Sequence, residues 1–294
     1  MTVSDENPKR PPVDSRPFLV IPYWPPGTLD TSDPGDTGER RPLPDDEPKV
    51  VWYLCPAIRT TPYEPGTDLT VHVDVLNRGG ANTESLAHVS VWWTDPASAF
   101  VIDPANLIGF DLVPVKPRGG RATSRGMTKR IPDTAPKHVC LLVRVSHQYD
   151  PAGNVPDPVG DRHWAQRNLT AVSVSDGQPI DVKFVAANPL EDTAEFTLSV
   201  RQNGEEHSEV LAQELGAEPR FIEASIAIGE TDEDLDRRQV SLQVALRPGE
   251  RRPVRVRIDV LGQLEAGTFA SYEISQRAGE RGPVLGSLGV VALG

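Results

Sequence analysis

The sequence predicts an all-β chain: two tandem immunoglobulin-like β-sandwiches preceded by a proline-rich extended tail. Three observations carry that prediction. Apolar residues alternate with polar ones over many short stretches, the period of a strand with one face buried. Clusters of Gly, Pro and Asn punctuate those stretches at turn spacing. Finally, 11 of the 29 prolines lie in residues 1–48, ahead of the alternating pattern. A chain of 294 residues fits about two domains of roughly 100–150 residues each. The boundaries expected are 1–48 for the tail, 49–174 for the first sandwich and 175–294 for the second.

The proline density of the tail forbids helix and blocks a sheet interior, so an extended or disordered segment without a core is expected. One island breaks it, Phe18-Leu19-Val20-Ile21-Pro22-Tyr23-Trp24. A pure spacer needs no such cluster. Phe18, Val20, Ile21, Tyr23 and Trp24 are therefore candidate partner-binding residues. A short extended apolar segment binds by adding to a sheet edge or lying over an apolar face. The expected target is another chain rather than its own.

In the first sandwich Val50 to Cys55 reads as the opening strand. Leu69, Val71, Val73 and Val75 alternate with Thr70, His72 and Asp74 before the turn Asn77-Arg78-Gly79-Gly80. Val89, Val91 and Trp93 alternate with His88, Ser90 and Trp92; Val139, Leu141, Val143 and Val145 alternate with Cys140, Leu142 and Arg144. Thr170 to Val174 closes the unit. If the first residues of these last two sets face the core, Trp92, Cys140 and Leu142 face outward on neighbouring strands. Exposed apolar clusters mark contacts, so Trp92 and Leu142 join the candidate partner-binding residues.

The second sandwich restarts with Ile180 to Ala187. It continues with alternating sets at Phe196–Val200, Ile222–Ile228, Val240–Leu246 and Val254–Val260, and ends with Thr268–Gln276 and Val284–Leu293. About seven strands in roughly 120 residues is the immunoglobulin-like number. Ser208 to Leu215 reads as one short helix with Ser208 as its N-cap.

Pro65-Gly66 before a strand, the strand Leu69–Leu76 ending in Asn77-Arg78-Gly79, the late strand Cys140–His147 and the acidic loop Asp150–Asp161 give the first sandwich its character. So does the polar closing segment Asp161-Arg162-His163-Trp164-Ala165-Gln166-Arg167-Asn168. In these features it resembles the bacterial cell-adhesion-related (CARDB-type) immunoglobulin-like domain. The second sandwich is similar to related bacterial modules through Leu246-Arg247-Pro248-Gly249-Glu250 and the strand Val254–Val260. The resemblance implies a spacer, adhesion unit or accessory module.

No motif for chemistry emerges. The six histidines form neither HExxH nor HxxxH, which argues against zinc. Gly286-Ser287-Leu288-Gly289 lacks the glycine two residues before the serine that a nucleophile elbow needs, since Leu285 stands there. Asp232, Asp234 and Asp236 have calcium-loop spacing, but Arg237 replaces the turn glycine and Gln243 the distal acid. The expectation is a chain that is not an enzyme and has no metal or cofactor. Cys55 and Cys140 are expected as free thiols.

The net charge of −12 is uneven: −5 over residues 1–47, +2 over 48–172 and −9 over 173–294. Such a chain repels nucleic acid. No apolar run approaches a membrane span. The N-terminus lacks the charged-then-apolar pattern of a secretory signal, so the expected location is cytoplasmic, or exported by a route that reads no such signal. The stretch holding Lys116, Arg118, Arg121, Arg125, Lys129 and Arg130 contains no acid. Arg118, Arg121 and Arg125 are candidates for docking an acidic partner. Together these readings describe a non-enzymatic structural or protein-interaction module, a subunit of a larger assembly with the tail as anchor. The alternative is an exported or surface-associated adhesion or carbohydrate-binding module. In either case a protein partner or self-assembly is expected.

Overall fold

The computed structural model describes residues 14–44, 47, 49–173 and 178–294. The start of the tail and the expected join at Val174 lie outside the described residues. The chain is mostly β-strand, arranged in several antiparallel sheets of the immunoglobulin-like sandwich kind.

The first part contains nine strands: β1 Leu19–Val20, β2 Ile58–Thr60, β3 Asp68–Asn77, β4 Ser85–Thr94, β5 Leu107–Val115, β6 Gly120–Thr123, β7 Met127–Arg130, β8 Cys140–Ser146 and β9 Trp164–Arg167. One sheet runs β5-β4-β8-β9; the other is built around β3, with β1 and β2 along one edge and β6 and β7 along the other. The inward residues expected from alternation form the core between them: Leu69, Val71, Val73 and Val75 from β3, Val89, Val91 and Trp93 from β4, and Leu141, Val143 and Val145 from β8.

The second part contains β10 Leu169–Ser173, β11 Ile180–Ala187, β12 Ala194–Gln202, α1 Glu205–Leu215, β13 Glu218–Pro219, β14 Ala224–Gly229, α2 Asp232–Leu235, β15 Ser241–Leu246, β16 Arg251–Val260, β17 Thr268–Ala278 and β18 Val284–Leu293. A three-stranded sheet, β11-β16-β14, faces a larger one, β10-β18-β17-β12-β15. Phe184, Phe196, Val256, Tyr272 and Leu288 fill the core between them. The strand β10, expected to close the first sandwich, pairs instead in parallel with β18.

Three elements besides the tail differ from the sequence reading. Val50 to Cys55 is a turn with a single bridge, Leu54 to Arg167, rather than a strand. All six residues are buried, and they point two ways. Val50, Trp52 and Cys55 enter the first core, whereas Val51, Tyr53 and Leu54 pack against Leu211 of α1, Phe269 and Val291. The helix α1 starts earlier than expected, with Gly204 at its N-cap and Glu205 and Glu206 in its first turn, where carboxylates suit the helix dipole. Ser208 sits inside the helix, its hydroxyl 3.1 Å from Ser271 Oγ. Finally, β5, β6 and β7 carry no clean alternation in sequence. A bulge between Val91 and Trp92 shifts the register, pairing Val91 with Gly109 and Trp92 with Leu107, which blurs the parity of β5.

The largest difference is the tail. Residues 14–44 form an ordered strap on the first part, and Leu19, Val20, Ile21, Tyr23, Trp24 and Leu43 are all buried. β1 adds antiparallel to the edge of β3, pairing Leu19 with Asn77 and Val20 with Leu76. The mode anticipated from the sequence, addition to a sheet edge, is thus seen, but on the chain itself. Buried Asp36 organises the strap: its carboxylate accepts the Tyr23 N–H at 2.9 Å and pairs bidentately with Arg41 at 2.8 and 3.1 Å. Asp150 Oδ2 accepts the Leu19 N–H at 2.6 Å, and the Arg162 guanidinium lies 3.9 Å from the centre of the Phe18 ring. Gly79 leaves room for the strap; a Cβ there would meet Arg16 O at 2.2 Å and Pro17 Cα at 2.6 Å.

Candidate interaction surface

The outer face of the β5-β4-β8-β9 sheet carries apolar side chains in two groups separated by His88, Ser90 and Arg144, and only one of the groups is covered. Outward parity places Trp92, Cys140 and Leu142 there, as expected, and the strands carrying them are neighbours, Trp92 pairing with Leu142. These side chains are buried, however, in a second cluster with Phe100 and Trp164, onto which Val185 of β11 also packs. Residues 96–98 bring the cover down: Ser98 N donates to Val185 O at 3.1 Å and Val185 N donates to Pro96 O at 2.8 Å. Trp92 and Leu142 therefore serve a contact within the chain, not a free docking face.

Polar side chains complete that junction. The Gln166 amide nitrogen donates to Trp52 O at 3.0 Å and Ser287 O at 3.1 Å. The Asn168 amide nitrogen donates to Ala97 O at 2.6 Å and Ser287 O at 2.9 Å. The Tyr53 hydroxyl meets His207 Nε2 and the Asn203 amide at 3.0 Å each. Buried polar groups must be paired, and here the pairing joins the first part to the second, with the strap added through Gln166 N, which donates to the Tyr23 hydroxyl at 3.1 Å. The glycines of β18 fit the same purpose: a Cβ on Gly289 would lie 2.2 Å from the Tyr53 ring. The sequence showed Gln166 and Asn168 only as members of a polar closing segment, because their partners are remote carbonyls.

Toward β5 the cover ends. Leu86 on β4 and Phe110 and Leu112 on β5 are 56%, 64% and 54% exposed. Cross-strand pairing of His88 with Leu112 and of Leu86 with Pro114 sets them on one face, and His88 packs edge-on against Phe110 at 5.6 Å. Arg144 marks the border, its guanidinium 5.5 Å from the Trp92 ring and 5.7 Å from the Trp164 ring. Sequence reasoning passed over this patch because β5 was not recognised as a strand.

The basic stretch flanks the same strand. The Arg125 side chain is exposed and pairs with Asp111 at 2.6 Å. Lys129 Nζ donates to Leu107 O at 2.9 Å and to Ala105 O at 2.6 Å. Arg118 bonds Asn82 at 2.9 Å. Arg121 and Lys116 are exposed and pair with no carboxylate among the described residues. By contrast, the second basic stretch is spent internally: Arg255 pairs with Asp181 and Asp232, and Arg257 with Asp236. Those pairs also occupy two of the three aspartates with calcium-loop spacing, and Asp234 closes a capping box with Thr231.

Among the described residues no group of three or more His, Cys, Asp or Glu could hold a metal ion. The arrangement closest to a nucleophile and base is Cys140, with His138 Nε2 at 3.5 Å and Asn168 alongside. Burial opposes that chemistry. It pushes the Cys140 thiol well above its ordinary range and lowers His138 to about 4, so the dyad stays neutral, whereas a nucleophilic cysteine needs a thiolate. Cys55, in the other core, is pushed up to about 12 by burial. No helix among the described residues is long and apolar enough to cross a membrane.

No family profile and no curated protein matches the chain. The specific cell-adhesion-related type is therefore not supported by a family match. Among solved structures, the N-terminal domain of PorA is 13% identical over 43% of this chain and 88% of that one, with a TM-score of 0.27. The CupB6 tip adhesin from Pseudomonas aeruginosa is 12% identical over 80% of this chain and 92% of that one, with a TM-score of 0.25. The adhesin CfaE of enterotoxigenic E. coli is 9% identical over 81% and 83%, with a TM-score of 0.27. Scores this low carry no argument about what the chain binds.

Proposed function

We propose that this chain is a non-catalytic, adhesion-type interaction module built as two tandem sandwiches. Its binding surface is the uncovered face formed by Leu86, Phe110 and Leu112. One observation supports the reading above the others: Leu86, Phe110 and Leu112 stand exposed on the same sheet face whose other end, at Trp92 and Leu142, the chain itself covers. Exposed contiguous apolar surface is costly and marks a contact site. The assembly-anchor role for the strap loses its support, since the anchoring side chains are spent on the chain's own core. No observation favours carbohydrate.

The test is site-specific photo-crosslinking in the native setting. A photo-reactive phenylalanine at position 112 should capture a macromolecule, and the same probe at exposed Thr128 should not. Absence of any adduct from position 112 would remove the reading. Labelling of intact cells would separately read whether the module is exported or surface-associated.

A further inference from the structure

The uncovered face borders a cation that the chain leaves without an acceptor. Ser90 of β4 pairs with Phe110 of β5 on one side and with Arg144 of β8 on the other, and Arg144 pairs in turn with Trp164 of β9. Phe110, Ser90, Arg144 and Trp164 therefore form one row across the outer face of the sheet. The Arg144 side chain is half-buried, its guanidinium over the Trp92 and Trp164 rings. Its Nε is buried without a partner, and among the described residues the group makes no hydrogen bond and no ion pair. An arginine offers five donors, and other partly buried arginines of the chain use theirs: Arg162 binds Asp150 at 2.5 Å, and Arg167 binds Glu214. The neighbouring rows supply no carboxylate either, holding Leu112, His88 and Ser146 in one and Pro114 and Leu86 in the next.

We propose that this face binds an amphipathic helix of a partner protein, and that Arg144 takes an aspartate or glutamate carboxylate of that helix. This rests on the reading of the face as a binding surface and adds the chemistry of the occupant. The two tryptophans hold the guanidinium in place before binding. A carboxylate thus meets a preorganised and partly desolvated donor set, where a charge-assisted pair is stronger than in open water. Apolar side chains of the same helix cover Leu86, Phe110 and Leu112. A helix fits better than a strand for two reasons. First, β5 is the edge of its sheet, but that edge is largely closed. Leu112 N donates to Asp111 Oδ1 at 3.0 Å, Leu107 O is taken by Lys129 Nζ at 2.9 Å, and Pro114 has no N–H to offer. A segment laid on the face instead must satisfy its own backbone, which a helix does. Second, Phe110 and Arg144 lie two strands apart, roughly 10 Å. Positions seven apart on one side of a helix are separated by roughly 10.5 Å. An acid seven residues from the side chain that covers Phe110 therefore reaches Arg144.

The test is selection against the full chain from a library that randomises one exposed helix face of a small three-helix-bundle scaffold. Binders are kept when the photo-reactive residue at position 112 crosslinks to them, and their affinities are then measured on the wild-type chain. They should carry Asp or Glu in the randomised face. Changing that acid to its amide, or Arg144→Gln in this chain, should each weaken binding by about tenfold or more, the loss of one charge-assisted pair. The two changes together should cost little more than either alone. Arg125→Gln, at an arginine already paired with Asp111, should leave the affinity unchanged. The amide change lies in the binder, so it reads the pair without touching the packing of Trp92 and Trp164. Binders at position 112 that lack an acid, affinities insensitive to either change, or effects that simply add would overturn the inference while the binding surface stands. A library that yields no binder at position 112 overturns it as well; if the crosslink in the native setting also captures nothing, the binding surface fails with it.

Discussion

Replacing Trp24 with alanine is the most direct probe of the strap. The side chain is 2% exposed and belongs to the first core, together with Leu19, Ile21, Tyr23 and Leu43. A large aromatic truncated in a packed core costs about 3–5 kcal/mol. The indole N–H adds little, being 3.4 Å from Asp33 Oδ1. For a cooperative unit of roughly 150–250 residues, that cost lowers Tm by about 6–20 °C. Removing residues 1–48 should be worse. It withdraws six buried apolar side chains at about 1.5–3 kcal/mol each, against a typical total stability of about 5–15 kcal/mol. The first part should then fail to fold on its own. Urea denaturation of wild type and Trp24→Ala, followed by tryptophan fluorescence and far-ultraviolet circular dichroism, measures the first effect. A loss below about 1 kcal/mol, or a cooperative first part after deletion, would refute the claim that the strap belongs to the core.

Three further outcomes are expected. Gly289→Ala should destabilise the junction by a few kcal/mol, because the new Cβ meets the Tyr53 ring at 2.2 Å; adding Tyr53→Ala should recover part of that loss in a double-mutant cycle. His163 is buried between Asp161 Oδ1 at 2.7 Å and Asp150 Oδ1 at 3.3 Å. Burial alone would lower its pKa, but the two carboxylates prevail and raise it. The raised value means that its contribution is full below the unfolded pKa and is lost as pH rises through the folded one. The stability gap between wild type and His163→Gln should therefore be larger near pH 5 than near pH 9 in parallel urea titrations, with about pH 6.5 as the unfolded reference. Lastly, Cys55 and Cys140 are fully buried in different clusters with raised pKa values, so neither should react with Ellman's reagent until urea unfolds the chain. Rapid labelling of either thiol in the native state would contradict the packing.

Alternation along β3, β4 and β8 was legible because period-2 patterning reports directly which side chains share a face of a pleated sheet. It placed Val89, Val91 and Trp93 inward, and it set Trp92, Cys140 and Leu142 together on the outside. The same local signal could not say what covers that outer face, because Phe100 and Val185 arrive from distant chain positions. Nor could it see β5, whose parity is disturbed by a bulge. Of the candidate residues, Arg125 pairs with Asp111 of β5 and Arg121 stands opposite Leu76 on the other sheet, while Phe110 and Leu112, the centre of the uncovered face, went unnoticed.

The sequence by itself determined the β class, the inward residues of the regular strands and the uneven charge, since each depends on neighbours two residues apart or on composition. Only the tertiary structure decided the fate of Phe18 to Trp24 and of Val50 to Cys55. Proline and apolar content mark such segments as extended and in need of cover. The cover itself is a long-range choice: β1 takes an edge of β3, Leu19 pairing with Asn77 and Val20 with Leu76, and Tyr53 takes the groove left by Gly289. Contacts of that separation are fixed by which surfaces remain unburied once both cores have formed, and no local pattern records them.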